Sequence, residues 1–93
     1  MLFPKVDLPN AFTPLGSAPN NVIFVRGFGI GRMRFMIFNR FGQKVFESNS
    51  TKLGWDGRFN GVVQPMDAYA YILEVEFTDG TRTTKKGDIT LIR

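Results

Sequence analysis

The sequence contains no cysteine and no histidine among its 93 residues. Without cysteine there is no disulfide, no thiol nucleophile and no thiolate ligand for a metal. Without histidine, the commonest general base and metal-binding side chain is also missing. The serines Ser17, Ser48 and Ser50 therefore have no imidazole that could activate them. These absences predict that the chain is not an enzyme and has no catalytic residue, metal site or cofactor.

Long apolar runs and helical periodicity are missing as well. No stretch approaches the ~20 apolar residues of a membrane-spanning helix, so we expect no membrane insertion. No window of a dozen residues repeats apolar positions at helical spacing without an intervening glycine or proline. Residues 1–5 lack the apolar core of a signal peptide and are expected to be a linker end or an added chain start.

Apolar and aromatic side chains are abundant enough for one small core. Hydrophobic residues make up 43% of the chain, and ten of its residues are phenylalanine. Strand patterns recur every ~8–12 residues, which is typical of an antiparallel sandwich. The clearest strand covers residues 68–78, where one wholly apolar face alternates with a more polar one before an Asp79-Gly80 hairpin turn. We predict a single domain over residues 1–93, an all-β, seven-stranded antiparallel Ig-like Greek-key sandwich.

The remaining strand predictions follow from turn residues. A Phe41-Gly42 turn is expected to join two strands, and Pro9 is expected to interrupt a strand at a sheet edge. Glycine in Lys86-Gly87 predicts a bulge that divides the last strand into two. The expected strands are residues 6–12, 22–26, 32–40, 43–48, 81–86 and 88–93.

A segment rich in turn signals precedes the clearest strand. The only tryptophan, Trp55, is predicted to fill the core with its indole N–H bonded to a carbonyl, and Asp56-Gly57 to form a turn. Pro65 and Tyr69 have the spacing of a tyrosine corner, in which the hydroxyl bonds to upstream backbone. We therefore assign Trp55, Asp56, Gly57, Pro65 and Tyr69 to a structural motif.

The net charge is +4, which is compatible with an anionic partner but also with an ordinary domain that has a modest basic excess on its surface. Arginines interleave with phenylalanines between residues 26 and 41, as in single-strand nucleic-acid grooves. These aromatics occupy core positions of strands, however, and no RNA-binding motif is present, so we expect no nucleic-acid partner. The basic C-terminal strand has two interpretations: lysines that protect a sheet edge, or an edge offered to a partner by strand addition.

Ordered sequence blocks carry a family resemblance over residues 7–93. The chain resembles the gliding-motility-associated C-terminal domain of Bacteroidetes, the type B sorting domain of the type IX secretion system. Its Trp-Asp-Gly to Tyr-x-Tyr part is also similar to type A sorting domains and the flagellar hook-capping domain. The blocks that match are Leu8-Pro9-Asn10-Ala11-Phe12-Thr13-Pro14, Ile37-Phe38-Asn39-Arg40-Phe41-Gly42-Gln43-Lys44-Val45-Phe46-Glu47, Gly54-Trp55-Asp56-Gly57, Tyr69-Ala70-Tyr71 and Lys86-Gly87-Asp88-Ile89-Thr90-Leu91-Ile92-Arg93.

The resemblance implies a secretion signal that directs a larger cargo protein, fused upstream, through the periplasm and across the outer membrane. It implies recognition by the type IX machinery and a dedicated outer-membrane partner protein, and a secreted or cell-surface location. The alternative is an adhesive or structural Ig-like module of a cell-surface protein with no sorting role. We expect a monomer or a weak edge-mediated dimer.

Two parts of the sequence bear on recognition. Lys85, Lys86 and Arg93 are predicted as the partner-binding group, because they place positive charge on the C-terminal strand. The loop 15–21 departs from the family pattern, since Ser17 and Asn21 replace two acidic residues. This departure removes support for a metal-binding or acidic recognition role of that loop.

Overall fold

The structure, a computed structural model, describes residues 5–8, 11–12 and 22–92. Pro9, the loop 15–21 and Arg93 lie outside the described residues. The described part of the chain holds no helix of the length and apolar character needed to cross a membrane. It contains nine strands: β1 (Lys5–Asp7), β2 (Ala11–Phe12), β3 (Arg26–Phe28), β4 (Ile30–Phe38), β5 (Lys44–Ser48), β6 (Arg58–Phe59), β7 (Val62–Val63), β8 (Asp67–Phe77) and β9 (Arg82–Leu91).

The main element is a five-stranded sheet with the strand order β2-β9-β8-β4-β5. Its long strands pair antiparallel, whereas β2 runs parallel to β9 through Ala11 opposite Thr90 and Phe12 opposite Leu91. Two antiparallel pairs, β1–β3 and β6–β7, lie outside this sheet. The all-β, mostly antiparallel class is therefore as predicted. The described residues form nine strands where the sequence suggests seven, and the sheet is mixed.

Strand β4 lies in the interior of the sheet, between β8 and β5. Its residues Met33, Phe35 and Ile37 alternate along one face and are all buried. Met36 on the other face is also buried, so the outer face of β4 is partly covered as well. The strand starts two residues earlier than expected, because Ile30 already pairs with Phe77, and it ends two residues earlier, because Asn39 belongs to the following turn.

The inner face of the five-stranded sheet is covered by segments that lie outside that sheet. Ile23 and Val25 join the core cluster together with Val6 of β1 and the ring of Trp55. The predicted strand at residues 22–26 is wrong: Ile23 forms only an isolated bridge with Trp55, and the regular strand β3 begins at Arg26. This bridge ties the tryptophan segment to the layer that covers the sheet.

Strand β9 is continuous, so the predicted bulge at Lys86-Gly87 is wrong. Its register with β8 runs without a shift from Arg82 opposite Glu76 to Leu91 opposite Asp67. Gly87 lies opposite Tyr71, and a Cβ at Gly87 would be only 3.1 Å from Cε1 of that ring. The glycine therefore makes room for an aromatic ring within a regular ladder rather than breaking the ladder.

The turn between β8 and β9 sets that register. Gly80 adopts a φ of 89°, which a residue with a Cβ adopts only with strain. The Asp79 carboxylate accepts hydrogen bonds from the Thr81 N–H at 2.9 Å and from the Thr81 hydroxyl at 2.6 Å. The bond from the hydroxyl and then that from the N–H lower the pKa of Asp79 below its ordinary value. The Asp79-Gly80 turn predicted from the sequence is thus present.

Candidate partner-binding surface

The segment around Trp55 has a structural role in the core. Trp55 is 1% exposed and donates its indole Nε1–H to the Arg58 carbonyl at 3.0 Å. Its ring centroid lies 5.3 Å from that of Phe12 and 5.1 Å from that of Tyr69. Such aromatic contacts and a satisfied indole N–H are typical of a buried tryptophan in a core. The indole is therefore not available to a ligand such as a sugar ring.

The other residues of the predicted structural motif hold turns around this ring. The Asp56 carboxylate accepts the Arg58 N–H at 3.1 Å, and Gly57 has a φ of 81°. The Tyr69 hydroxyl donates to the Pro65 carbonyl at 2.7 Å, which is the geometry of a tyrosine corner. These contacts give the motif a role in local structure, which leaves the binding surface to other parts of the domain.

Lys85 and Lys86 occupy opposite faces of the sheet. Lys85 pairs with the buried Leu73 and is half-buried on the core side, whereas Lys86 pairs with Ile72 and is exposed on the outer side. Successive side chains of a strand point to opposite faces, so this separation follows from the regular ladder. The structure therefore does not bring these two predicted residues together on one face, and Arg93 lies outside the described residues.

Most of the outer edge of β9 faces no other strand in the described part of the chain. The two residues of β2 pair only with Thr90 and Leu91, at one end of β9. The rest of the strand, from Arg82 to Ile89, has β8 as its only strand neighbour among the described residues. We call this stretch the open edge.

The direction of the backbone groups at the open edge follows from two hydrogen bonds. The Phe77 N–H donates to the Thr81 carbonyl at 2.8 Å, so Thr81 faces β8. The Ile92 N–H donates to the Phe12 carbonyl at 2.9 Å, so Ile92 faces the other way. Because residues of an antiparallel ladder alternate in direction, the even-numbered residues of β9 point their N–H and C=O groups outward. At the open edge these are Arg82, Thr84, Lys86 and Asp88.

Positive charge at the open edge is only partly neutralised. Arg82 approaches Glu76 at 3.6 Å, and both side chains are substantially exposed. Lys85 and Lys86 form no ion pair within the described residues. The open edge thus combines outward backbone groups with two lysines that have no ion-pair partner in the described part of the chain.

The outer face near β4 and β5 differs, because its charges are paired. Glu47 accepts hydrogen bonds from Lys44 at 2.8 Å and from Arg34 at 2.6 Å. The bond from Lys44 and then that from Arg34 lower the pKa of Glu47 below its ordinary value. Arg32 and Arg34 also lie directly opposite Glu76 and Glu74 on β8. Acidic residues therefore accompany both arginines on this face of the sheet.

Neither a metal centre nor a deep cleft is evident among the described residues. No three of their Asp or Glu side chains are grouped closely enough to hold a metal ion. A surface depression of about 300 Å³ lies across β4, β8 and β9 and is lined by charges of both signs, including Arg32, Glu74 and Arg82. Mixed charge in an open depression does not define a site for one kind of small molecule.

The geometry defines an all-β domain with an open sheet edge, which is an arrangement suited to binding a protein strand. The model of the CHU_C Type IX secretion signal domain matches residues 6–91, and the chain belongs to this family. A search of curated proteins finds no match. The crystal structure of CopC from Methylosinus trichosporium OB3b is similar in fold, with a TM-score of 0.62 and 16% identity over 96% of this chain and 93% of that chain.

Family membership confirms the function predicted from the sequence. The domain is a sorting signal of the type IX secretion system, and the secretion machinery recognises it. Proteins that carry such signals cross the outer membrane to the cell surface or the extracellular space. The likeness to CopC concerns the fold alone.

Proposed function

We propose that the secretion machinery reads this signal by adding a strand to the open edge of β9. The observation that carries the proposal is the outward direction of the backbone groups of Arg82, Thr84 and Lys86. An added strand supplies main-chain hydrogen bonds for affinity, and its side chains provide specificity. The partner is a dedicated outer-membrane protein of the type IX machinery.

Strand addition also accounts for two lysines that lie on opposite faces. A partner strand alternates its side chains between the same two faces as β9. Adjacent acidic residues on that strand would therefore meet Lys85 on the core side and Lys86 on the outer side. Each cross-strand pair of opposite charge contributes about 0.2–1 kcal/mol. Arg93 lies outside the described residues, so its part in the partner-binding group stays a prediction.

The remaining features fit a binding domain rather than an enzyme. We place the chain as an Ig-like Greek-key sandwich without a cofactor, fused downstream of a larger cargo. Two copies that paired through β9 would bring lysines of like charge together, so we expect a monomer, with at most a weak edge-mediated dimer. No described feature favours the alternative of an adhesive module without a sorting role.

A fusion experiment tests the sorting function of this chain. Residues 1–93 are joined to the C-terminus of a reporter that is exported to the periplasm of a type IX-competent host. We expect the reporter at the cell surface or in the medium, and in the periplasm of a strain that lacks the type IX translocon. A reporter that stays in the periplasm of the competent host would contradict the sorting function.

Charge reversal at the open edge tests the partner-binding role of Lys85 and Lys86 in the same fusion. Lys85→Glu and Lys86→Glu should each lower the secreted fraction about fivefold, as expected for the loss of ~1 kcal/mol of pairing. Lys52→Glu is the matched control, because it changes the net charge equally at an exposed turn away from β9. Secreted fractions that match the control would remove both lysines from recognition.

A further inference from the structure

Phe41 is displayed at the tip of the turn between β4 and β5. Its side chain is 79% exposed, the highest value among the large hydrophobic side chains of the described residues. Single exposed apolar residues are common on protein surfaces and need no special explanation. The surroundings of Phe41 are what distinguish it.

The turn that carries this ring is fixed by hydrogen bonds. The Asn39 side-chain oxygen accepts the N–H of Phe41 and that of Gln43, each at 3.0 Å. The Asn39 N–H donates to the Gln43 carbonyl at 2.9 Å, and Gly42 closes the turn at a φ of 80°. These bonds fix the backbone on which the ring is mounted. Binding through a fixed backbone costs less conformational entropy than binding through a flexible loop.

A cation accompanies the ring. The Arg40 guanidinium carbon lies 5.0 Å from the centroid of the Phe41 ring, within cation–π range. The nearest acidic group is Asp67, whose carboxylate is 3.9 Å away at the limit of an ion pair. Arginine and aromatic side chains are enriched at protein interfaces. Arg40 and Phe41 therefore present both features from one short turn.

Further apolar side chains lie at the same end of the sheet. Asp67, the ion-pair partner of Arg40, pairs across the ladder with Leu91. Met66 and Ile92, which adjoin this pair in the sequence, are both exposed. We call Arg40, Phe41, Met66 and Ile92 the Phe41 end.

We infer that the Phe41 end is a second contact with the secretion machinery, in which the Phe41 ring fills an apolar pocket that has an acidic rim. The inference rests on the sorting function but not on strand addition to β9. A protruding ring requires a concave partner, and Arg40 requires negative charge beside the pocket.

The fused upstream cargo and a second copy of this chain fit the Phe41 end less well than the secretion machinery does. Lys5 pairs with Phe28, two residues before β4 begins, whereas Phe41 follows the end of β4. The length of β4 is about 25–30 Å at ~3.3 Å per residue, so Lys5 lies near the end of β4 opposite to Phe41, which disfavours the fused upstream cargo as the occupant. A two-fold contact between copies would bring two Arg40 side chains together, which is unfavourable.

The test uses the reporter fusion with Phe41→Ala and with Phe28→Ala as the control. Phe28 is an exposed ring at the other end of the sheet, and at 44% exposure it loses at least as many contacts on truncation. We expect Phe41→Ala to lower the secreted fraction at least tenfold while its Tm stays within about 4 °C, as for an exposed substitution. Phe28→Ala should be secreted like the unaltered fusion. Arg40→Glu should also reduce secretion.

The outcomes of these experiments distinguish the sorting function from the role of the Phe41 end. Retention of the unaltered fusion in the periplasm would contradict the sorting function itself. Normal secretion of the unaltered fusion together with normal secretion of Phe41→Ala would overturn only the role of the Phe41 end. Sedimentation of the purified domain with phosphatidylethanolamine–phosphatidylglycerol vesicles, lost in Phe41→Ala, would also overturn it by assigning the ring to a lipid surface.

Discussion

Replacing Trp55 by alanine is expected to unfold the domain or leave it marginally stable. The indole is fully enclosed, contacts the rings of Phe12 and Tyr69, and belongs to the segment that bridges to Ile23. Truncating a buried aromatic residue costs about 3–5 kcal/mol, against a total stability of about 5–15 kcal/mol for a typical domain. Urea denaturation followed by far-UV circular dichroism measures this loss without depending on tryptophan fluorescence.

Leu53→Ala provides the matched comparison for this substitution. Leu53 is two residues away and 56% exposed, so its truncation should change stability by less than about 0.5 kcal/mol. If the Trp55→Ala midpoint were as close to the unaltered one as that of Leu53→Ala, the role of Trp55 in the core would be wrong. Because the domain acts as a folded signal, we also expect Trp55→Ala to abolish secretion of the fusion.

Thr84→Pro is expected to abolish secretion while leaving the domain folded. The Thr84 N–H points outward from the open edge, so proline removes no bond of the β8–β9 ladder. Proline is tolerated on edge strands at such positions, but its ring blocks the approach of an added strand. We expect at least a tenfold loss of secreted reporter and a Tm change of a few degrees at most, measured by circular dichroism.

Two neighbouring variants isolate the backbone effect. Thr84→Ala removes the same side chain but keeps the N–H, and it should be secreted normally. Thr83→Pro removes an N–H that points toward β8, so it should lower the Tm strongly. Equal secretion of Thr84→Pro and Thr84→Ala would exclude strand addition at this edge and would leave the family function intact.

The long strands could be predicted because their side chains alternate cleanly. The odd-numbered residues from Tyr69 to Phe77 are all apolar or aromatic, and the core needs one such face per strand. Asp79-Gly80 then fixes the return of β9, since glycine with positive φ and an aspartate acceptor determine the turn. Local chemistry was sufficient in this part of the chain.

Long-range pairings could not be predicted in the same way. The parallel pairing of β2 with β9 joins residues about eighty positions apart, and no local signal encodes it. The bulge predicted at Gly87 is wrong because a glycine within a strand has two physical causes, a bulge or a large neighbour across the ladder. Only the register with Tyr71 distinguishes them.

The recognition surface was predictable only in part. Ile89 and Leu91 on the core face already imply that Lys85 and Lys86 lie on opposite faces, because alternation has a period of two. The outward direction of Thr84 needed the hydrogen bonds of the ladder. Phe41 was assigned only to a turn, because its apolar character gives no sign that Asn39 holds the ring in solvent.

Site-specific cross-linking tests the central claim most directly. The chain has no cysteine, so Thr84→Cys introduces a single thiol at the open edge, which can carry a photo-activated cross-linker in the secreting host. Thr51→Cys is the control, because Thr51 is exposed in the turn that follows β5 at the opposite edge of the sheet. We predict an adduct with an outer-membrane component of the type IX machinery from position 84 and not from position 51. A normally secreted fusion that gives no adduct at position 84, or equal adducts at both positions, would contradict recognition through β9.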